Sequence, residues 1–214
     1  SAVMPGLEGH FRLAAAHGLS SRCLVPAWAT LTQAHPKLHA ELYSLRSAEI
    51  LERVKSGELD LGVCFSPQSH PGFESQVVSK SQLVIAARKD HPIFKLRESE
   101  RVAELGRLPL AAPKAFQGID NCETHPVFAE LGLRPQTHFV FDSYEVGSRY
   151  LSLSDSFALI PDWVLRWPDS PLRPVLPQQP RAPVTIAALW PKSRPPVMAI
   201  QRLIERVEGQ LADR

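Results

Sequence analysis

The sequence predicts an α/β protein that begins with a parallel β-sheet carrying helices on its faces. Through the first 65 residues, strand-like and helix-like segments alternate in the order strand, helix, strand, helix, strand. Parallel neighbours in a sheet need crossover helices, and these crossovers are right-handed. The third strand, LDLGVCF at 59–65, is mostly apolar, which is typical of a strand covered on both faces.

The first strand is predicted at Phe11–Ala16, and the turn HGLSS that follows supplies hydroxyl groups suited to starting a helix. From Arg22 onward, Leu24, Trp28 and Leu31 recur at the spacing of one helical face. This helix is expected to end near AHPK, where proline stops it. The segment LHAELYSL then alternates in polarity as a second strand does.

The next helix is predicted to begin with Ser47 as its N-cap and to turn Ile50, Leu51 and Val54 inward. Gly57 stands where a left-handed C-cap belongs. The stretch VKSGELDLGV contains this glycine and also Asp60, which lies at the start of the third strand. The Asp60 carboxylate is expected to accept hydrogen bonds from backbone N–H groups of nearby loops. Its role is therefore interpreted as structural rather than catalytic.

The remainder of the chain contains further strands and helices, but they do not repeat the regular strand–helix alternation of the first 65 residues. Helices are expected around 102–105, over 121–131, and from Asp142 or Ser143 to about 153. A last helix has one apolar stripe, consisting of Val197, Ile200, Leu203, Ile204, Val207 and Leu211. Strands are predicted at QLVIAA, LPLAAP, THFVFD, FALIP and VTIAALW.

Composition excludes several classes of protein. Lys and Arg total 24 against 22 for Asp and Glu, a balance that does not favour a nucleic-acid surface. No apolar run approaches the roughly 18 residues of a membrane helix, and the first residues lack the hydrophobic region of a secretory signal. Cys23, Cys64 and Cys122 are widely spaced and predict reduced structural thiols, hence a cytoplasmic location. No cofactor and no metal site are predicted.

Four segments, taken in order, carry a family resemblance. They are LVPAWATLTQAHPKLHAEL, VKSGELDLGV, QLVIAARKDHPI and DSFALIPDWVL, and together they lie within residues 10–211. The chain resembles the effector-binding domain of LysR-type transcriptional regulators. The resemblance implies two Rossmann-like α/β lobes joined by two crossing strands, similar to type II periplasmic binding proteins. Lobe one would comprise 10–80 and 192–214, and lobe two 81–191.

The resemblance also implies partners. A small-molecule effector would bind between the lobes, and the domains would pair antiparallel as homodimers, or as tetramers when full-length. Pairing would use the outer face of 22–34 and a helix of lobe two. The sequence contains no helix-turn-helix, so it is expected to be a sensor domain that reaches DNA only through an absent N-terminal domain.

Candidate effector-binding residues follow from the predicted sheet, because ligands of such sheets bind beyond the carboxyl ends of strands, at helix N-termini. In lobe one, Ser20 and Ser21 follow the first strand, and Arg46 and Ser47 follow the second. The family adds that a hydroxyl residue matching Ser47 contacts effector. Simple helix capping by the serines, and a solvated surface role for Arg46, remain the alternatives. These groups favour an organic anion as effector.

In lobe two the resemblance points to the loop PKAFQG, with Lys114 and Gln117, and to Ser143 at a helix start. His17 is expected to be a packed or surface histidine. The turn SDS at 154–156 replaces the Gly-x-Gly of relatives, so this turn of lobe two is expected to have a different shape. Lobe two contains Cys122 alone, so redox sensing through paired cysteines is not expected.

An enzyme is not predicted, because the sequence has no G-x-S-x-G nucleophile elbow, no H-E-x-x-H and no P-loop. The competing interpretation is a type II solute-binding protein of a transporter, which shares the fold. Cysteine usage and the four family segments favour the regulator.

Overall fold

The computed structural model describes residues 6–114 and 122–212. The chain divides into two compact units: unit 1 is Ser1–Lys80 with Thr185–Arg214, and unit 2 is Ser81–Val184. The second boundary therefore lies before residue 185, whereas the sequence analysis placed it before residue 192. The difference arises because the strand that crosses this boundary pairs its residues 186–189 with a strand of unit 1.

The described elements have the following bounds. The strands are β1 Glu8–Ala16, β2 Lys37–Leu45, β3 Leu61–Phe65, β4 Phe73–Arg88, β5 Leu110–Pro113, β6 Thr137–Phe141, β7 Ala158–Pro161, β8 Leu172–Pro174 and β9 Pro183–Pro191. The α-helices are α1 Val25–Ala34, α2 Ser47–Lys55, α3 Glu98–Leu105, α4 Pro126–Glu130, α5 Tyr144–Leu153, α6 Asp162–Leu165 and α7 Met198–Leu211. A π-helical turn spans Ser20–Leu24, and 3-10 turns span Pro92–Lys95 and Cys122–Thr124.

Unit 1 is built on a sheet with strand order β2-β1-β3-β9. Strand β1 is parallel to both β2 and β3, which confirms the predicted strand–helix alternation. Helices α1 and α7 pack together, and the ring of Phe11 on β1 meets Trp28 of α1 edge-to-face at 6.3 Å. Helix α2 lies so close to β3 that a Cβ on Gly62 would stand 2.5 Å from Ile50 Cγ2. The close contact requires glycine at this position.

The predicted inner faces of the first two helices are confirmed except at Leu51, which is only half-buried. Leu24 and Leu31 are buried and Trp28 is half-buried, while Ile50 and Val54 are the buried residues of α2. The start of α1 is more irregular than predicted, because a π-helical turn precedes the regular helix.

The predicted N-cap of α2 was wrong by one residue. Arg46 occupies that position, with extended backbone angles of φ −74° and ψ 149°, and its side chain makes no capping bond. Ser47 is the first helical residue, and its hydroxyl lowers the pKa of the nearby Cys64 thiol, against the larger rise caused by burial. Gly57 does adopt the predicted left-handed conformation, with φ +77°.

Unit 2 contains an antiparallel trio in which β4 pairs with both β7 and β8. Beside it, β5 and β6 form a parallel pair, and Leu110 bridges to Phe157. Phe128 and Phe157 pack edge-to-face at 6.1 Å in the core. Helix α6 and strand β8 were not predicted from the sequence, because each is short and lacks a periodic pattern.

The helix predicted over 121–131 is split in the structure. Residue 121 lies outside the described residues, and Cys122–Thr124 form a 3-10 turn. Pro126 then takes the first position of α4, where its missing N–H costs nothing. His125, the N-cap, accepts a hydrogen bond at Nδ1 from the Val127 N–H at 3.2 Å. Proline is therefore the reason for the break.

Candidate functional site

The carboxyl ends of β1 and β2 meet at one edge of the sheet of unit 1, and polar side chains connect them. Nδ1 of His17, just after β1, is 2.8 Å from the hydroxyl oxygen of Ser44 on β2. The same Ser44 oxygen is 2.8 Å from the hydroxyl oxygen of Ser20. Three residues from two strand ends thus form one hydrogen-bonded chain, which we call the His17–Ser44–Ser20 chain.

This chain leads from the protein interior to solvent. Ser20 is buried, whereas Ser44 is exposed and His17 is half-exposed. An imidazole and hydroxyls can both donate and accept hydrogen bonds, so the outer members retain capacity to bind a polar ligand. His17 was expected to be a packed or surface residue, and the structure gives it a specific partner.

Ser44 was missed by the sequence analysis. It lies in the strand LHAELYSL, one residue before the strand ends, directly opposite Ala15 of β1. Counting the alternation back from the strand end would have placed this hydroxyl at the rim of the sheet. Its contact with His17 and Ser20 depends on the parallel register, which a single sequence does not contain.

The start of α2 follows Ser44 in the chain. Arg46 is exposed, and its backbone carbonyl accepts the first helical hydrogen bond from Ile50 at 3.1 Å. Ser47 is half-buried and contacts Cys64, whose pKa is raised to about 12 by burial. Ser21 lies on the π-helical turn and is exposed. The structure therefore brings Ser20 into the polar chain and places Arg46 and Ser47 at the N-terminus of α2.

In unit 2, two of the three candidate residues can be placed. Ser143 is the N-cap of α5, as predicted, and its hydroxyl accepts a hydrogen bond from the Val146 N–H at 3.2 Å. Lys114 is exposed immediately after β5, and its N–H donates to the Phe141 carbonyl at 2.7 Å. Because β5 and β6 are parallel, both residues follow carboxyl ends at the same edge. Gln117 lies outside the described residues.

The turn at 154–156 is held by side chains from elsewhere in unit 2. Arg88 donates from Nη2 to Asp155 Oδ1 at 2.7 Å and from Nε to the Ser154 carbonyl at 3.2 Å. The hydrogen bond to Arg88 lowers the pKa of the Asp155 carboxyl. Nε2 of His91 lies 3.1 Å from the Asp155 carbonyl oxygen. Among the described non-glycine residues only Ser66 has a positive φ, so this turn needs no glycine.

Two negative observations apply to residues 6–114 and 122–212. No three or more His, Cys, Asp and Glu side chains in these ranges are grouped so that they could hold a metal ion. No helix within them has the length and apolar character needed to span a membrane.

The similarity of the chain to known proteins decides its family. Residues 5–212 match the LysR substrate binding domain. The chain belongs to this family. It is 24% identical to an uncharacterized HTH-type transcriptional regulator, YwbI of Bacillus subtilis, over 99% of this chain and 70% of that protein.

Solved structures agree on the fold. A putative LysR family transcriptional regulator from Pseudomonas aeruginosa superposes with a TM-score of 0.79 and 18% identity, over 98% of this chain and 74% of that one. The cofactor-binding domain of the Cbl transcriptional regulator gives a TM-score of 0.76 and 17% identity, over 99% of this chain and 93% of that one. The α/β fold is thus that of LysR effector-binding domains, as the resemblance implied.

Membership of this family establishes the general function. The chain is an effector-sensing regulatory domain of the LysR type, and the alternative of a transporter's solute-binding protein is not favoured. The family consists of transcriptional regulators.

Proposed function

We propose that this domain binds a small organic anion at the strand ends of unit 1. The observation that supports this most directly is the His17–Ser44–Ser20 chain, which offers hydroxyl and imidazole groups at the carboxyl ends of β1 and β2. In open α/β sheets, ligands bind at this edge. The protein would bind its effector without converting it, and would act in the cytoplasm.

An anion fits the charges at this edge. The N-terminus of α2 presents backbone N–H groups without helical partners, and the helix dipole adds partial positive charge there. The exposed side chain of Arg46 stands at the same helix start, where it can form a two-pronged bond to a carboxylate. Ser47 supplies a further hydroxyl, which now contacts Cys64.

Three residues of unit 2 are proposed as further effector contacts. Lys114 carries a positive charge beyond β5, and Ser143 caps α5. Gln117 is the third residue that the family resemblance suggested. All three are proposals about ligand contact, and each is testable by substitution.

The effector signal would be relayed by a change in how subunits associate. A ligand shifts a conformational equilibrium only by the difference in its affinity for the two states. We propose a homodimer of this domain, and a tetramer of the full-length protein, that uses the outer face of 22–34 and the outer face of α5. DNA would be bound by another domain of the same protein.

Helix α5 is the unit 2 helix chosen here because it exposes an apolar stripe. Val146 is 50% exposed and Leu153 is 70% exposed, one heptad apart on the same face. Tyr150 lies between them and stacks on Phe139 with ring centroids 3.8 Å apart. A second copy of the domain would bury this stripe.

A thermal-shift screen of the domain against carboxylic acids, amino acids, nucleosides and sugars tests the function. An effector at 100 times its Kd should add about 2.7 kcal/mol of apparent stability. We expect the hit to be a carboxylate, recovered unchanged after incubation. Ser44→Ala and Ser47→Ala should each weaken its binding by about 1 kcal/mol, the net contribution of one hydrogen bond.

Ser56→Ala is the matched control, because this serine lies at the opposite end of α2 and donates to the Arg53 carbonyl at 3.0 Å. Its affinity for the effector should equal that of the wild type. A carboxylate that binds equally well to all three variants would move the site away from this edge. A hit that is uncharged or cationic would contradict the proposed anion.

A further inference from the structure

Two histidines stand opposite each other on the sheet of unit 1, away from the residues assigned to effector binding. His10 on β1 is the direct register partner of His39 on β2. Their imidazole rings are stacked, with centroids 4.6 Å apart and ring planes 15° from parallel. Both side chains are exposed. We call them the histidine pair.

The residue pairs on either side of the histidine pair, in the same two strands, are charged. In the register of β1 and β2, Glu8 faces Lys37 and Arg12 faces Glu41. Lys37 Nζ is 3.6 Å from Glu8 Oε2, and Arg12 Nε is 3.7 Å from Glu41 Oε2. These four charges cancel, so a cation that approaches the histidine pair meets neither net repulsion nor a competing acidic cluster. The pair also rests on two hydrogen-bonded strands, which hold the Cα positions more firmly than a loop would.

We propose that the histidine pair binds a divalent late first-row transition-metal ion, of the class of Zn²⁺, Ni²⁺ and Cu²⁺. Neutral imidazole is a preferred ligand of these ions. Metal–nitrogen bonds of about 2.1 Å at a tetrahedral angle separate two donor nitrogens by about 3.4 Å. In the stacked arrangement the ring planes are nearly parallel, so both rings must rotate before their in-plane nitrogen lone pairs converge on one ion. Both side chains are exposed, and the broad χ2 torsion of histidine permits this rotation.

Solvent completes the coordination. In the described part of the chain, no group of three or more potential ligands could hold a metal, so the protein supplies two ligands. No metal-ligand spacing in the sequence marks residues 10 and 39 as a pair. Parallel pairing of β1 with β2 brings them together. A bound ion would clamp the two strands and raise the unfolding temperature of the protein.

Zinc titration of the metal-free protein tests this site, with calorimetry for affinity and a thermal scan for stability. We expect one Zn²⁺ per chain and a raised midpoint. His10→Gln and His39→Gln should each weaken binding at least about tenfold, since even loss of an outer-shell partner costs ten- to a hundredfold. Copper provides a second readout, because the resonance spectrum of bound Cu²⁺ should show coupling to two nitrogen atoms.

His138→Gln is the control, since His138 is exposed on β6, in unit 2. This variant should bind Zn²⁺ like the wild type. Zinc affinity that is unchanged in His10→Gln or in His39→Gln would overturn the proposal. A stoichiometry of one ion per two chains would also overturn it, because a second protein molecule would then replace the solvent ligands.

Discussion

Asp60 and Arg12 are joined by two reciprocal hydrogen bonds. The Arg12 N–H donates to Asp60 Oδ2 at 2.7 Å, and the Asp60 N–H donates to the Arg12 carbonyl at 2.8 Å. This contact fastens the entry of β3 to β1 one step before their regular pairing begins at Leu13 and Leu61. Asp60 therefore accepts a backbone hydrogen bond, as predicted, but the donor lies in strand β1 and not in a nearby loop.

Replacing Asp60 should therefore destabilise unit 1. Asp60→Ala leaves the Arg12 N–H without its acceptor, and we expect a loss of about 1–2 kcal/mol in the free energy of unfolding. Asp60→Asn keeps an oxygen acceptor and should lose less. Urea denaturation measures both. The ion pair of Asp60 with Arg194, at 3.2 Å, is partly exposed and should add little.

Glu74→Ala serves as the control for charge removal. Glu74 lies 4.0 Å from Lys192, and both side chains are more than half exposed. Its removal should change the free energy of unfolding by less than about 0.5 kcal/mol. If Asp60→Ala were no more destabilising than this control, the two backbone bonds would not stabilise the fold.

Gly147 on α5 is predicted to be intolerant of alanine. A Cβ at this position would lie 2.6 Å from Phe141 Cε2, with two more ring atoms at 2.7 Å. Because Phe141 is itself buried, the ring has little room to move, and Gly147→Ala should cost about 1–3 kcal/mol through overpacking.

The same substitution at Gly209 should stabilise the protein, whereas at Gly147 it should destabilise it. Gly209 lies within α7, and a Cβ there would meet no atom within 4 Å. Gly209→Ala should then stabilise the protein by about 0.5–1 kcal/mol, the difference in helix propensity. Thermal and urea denaturation of both variants would detect this contrast, and equal effects of the two would refute it.

The three cysteines are predicted to make stability fall in alkaline solution. Burial raises the pKa of Cys23, Cys64 and Cys122 from 9.0 to about 12. Below pH 9 the thiols are protonated in both states and cost nothing. Between pH 9 and 12 only the unfolded chain deprotonates, so at pH 10 each thiol should remove on the order of 1 kcal/mol.

Urea denaturation at pH 7.5 and at pH 10 measures this loss, and a variant with all three cysteines changed to alanine should show a flatter pH dependence. In the native protein at pH 7.5, thiol reagents should label the cysteines slowly, because a buried neutral thiol is a poor nucleophile. In denaturant all three should react. Rapid labelling of the native protein would contradict the structural role, and would reopen redox sensing.

The apolar stripe of α5 should govern self-association. Leu153→Glu places a charge in the proposed dimer contact, and we expect the dimer dissociation constant to rise at least about tenfold. Met198→Glu is the control, because Met198 is 54% exposed at the start of α7, outside the proposed surface. Sedimentation over a range of concentrations measures both. A wild-type domain that stays monomeric up to near-millimolar concentration would contradict the dimer.

Most of the elements of this fold were predictable from the sequence, because their periodicity is a local property. The apolar stripe of α7 from Ile200 to Leu211 and the alternation of β2 each specify an element and its inner face. Val197, also predicted on that stripe, is instead the exposed N-cap of α7. The C-cap at Gly57 was equally local, since glycine alone accepts its left-handed backbone without strain. The short elements α6 and β8 were missed because four and three residues contain no period.

The candidate site was less predictable, because its contacts depend on strand register. The sequence shows Ser20 and Ser44 as unrelated hydroxyls, and the pairing of β1 with β2 makes them neighbours. No feature of the sequence indicated the role of Arg194. Its Nη2 donates to the carbonyls of Gly57 and Leu59, at 2.8 and 3.3 Å, from a loop far along the chain.

Unit 1 is assembled from two separate stretches of chain, and this has a consequence for the order of folding. During synthesis, Ser81–Val184 is translated before α7. Until α7 arrives, α1 lacks the helix it packs against, and Cys23 lacks its contact with the Val207 carbonyl. Unit 2 is continuous and can fold first, whereas unit 1 must wait for contacts of long sequence separation, which form slowly. In a purified fragment that ends at residue 184, unit 2 should therefore resist proteases while residues 6–80 are open to cleavage.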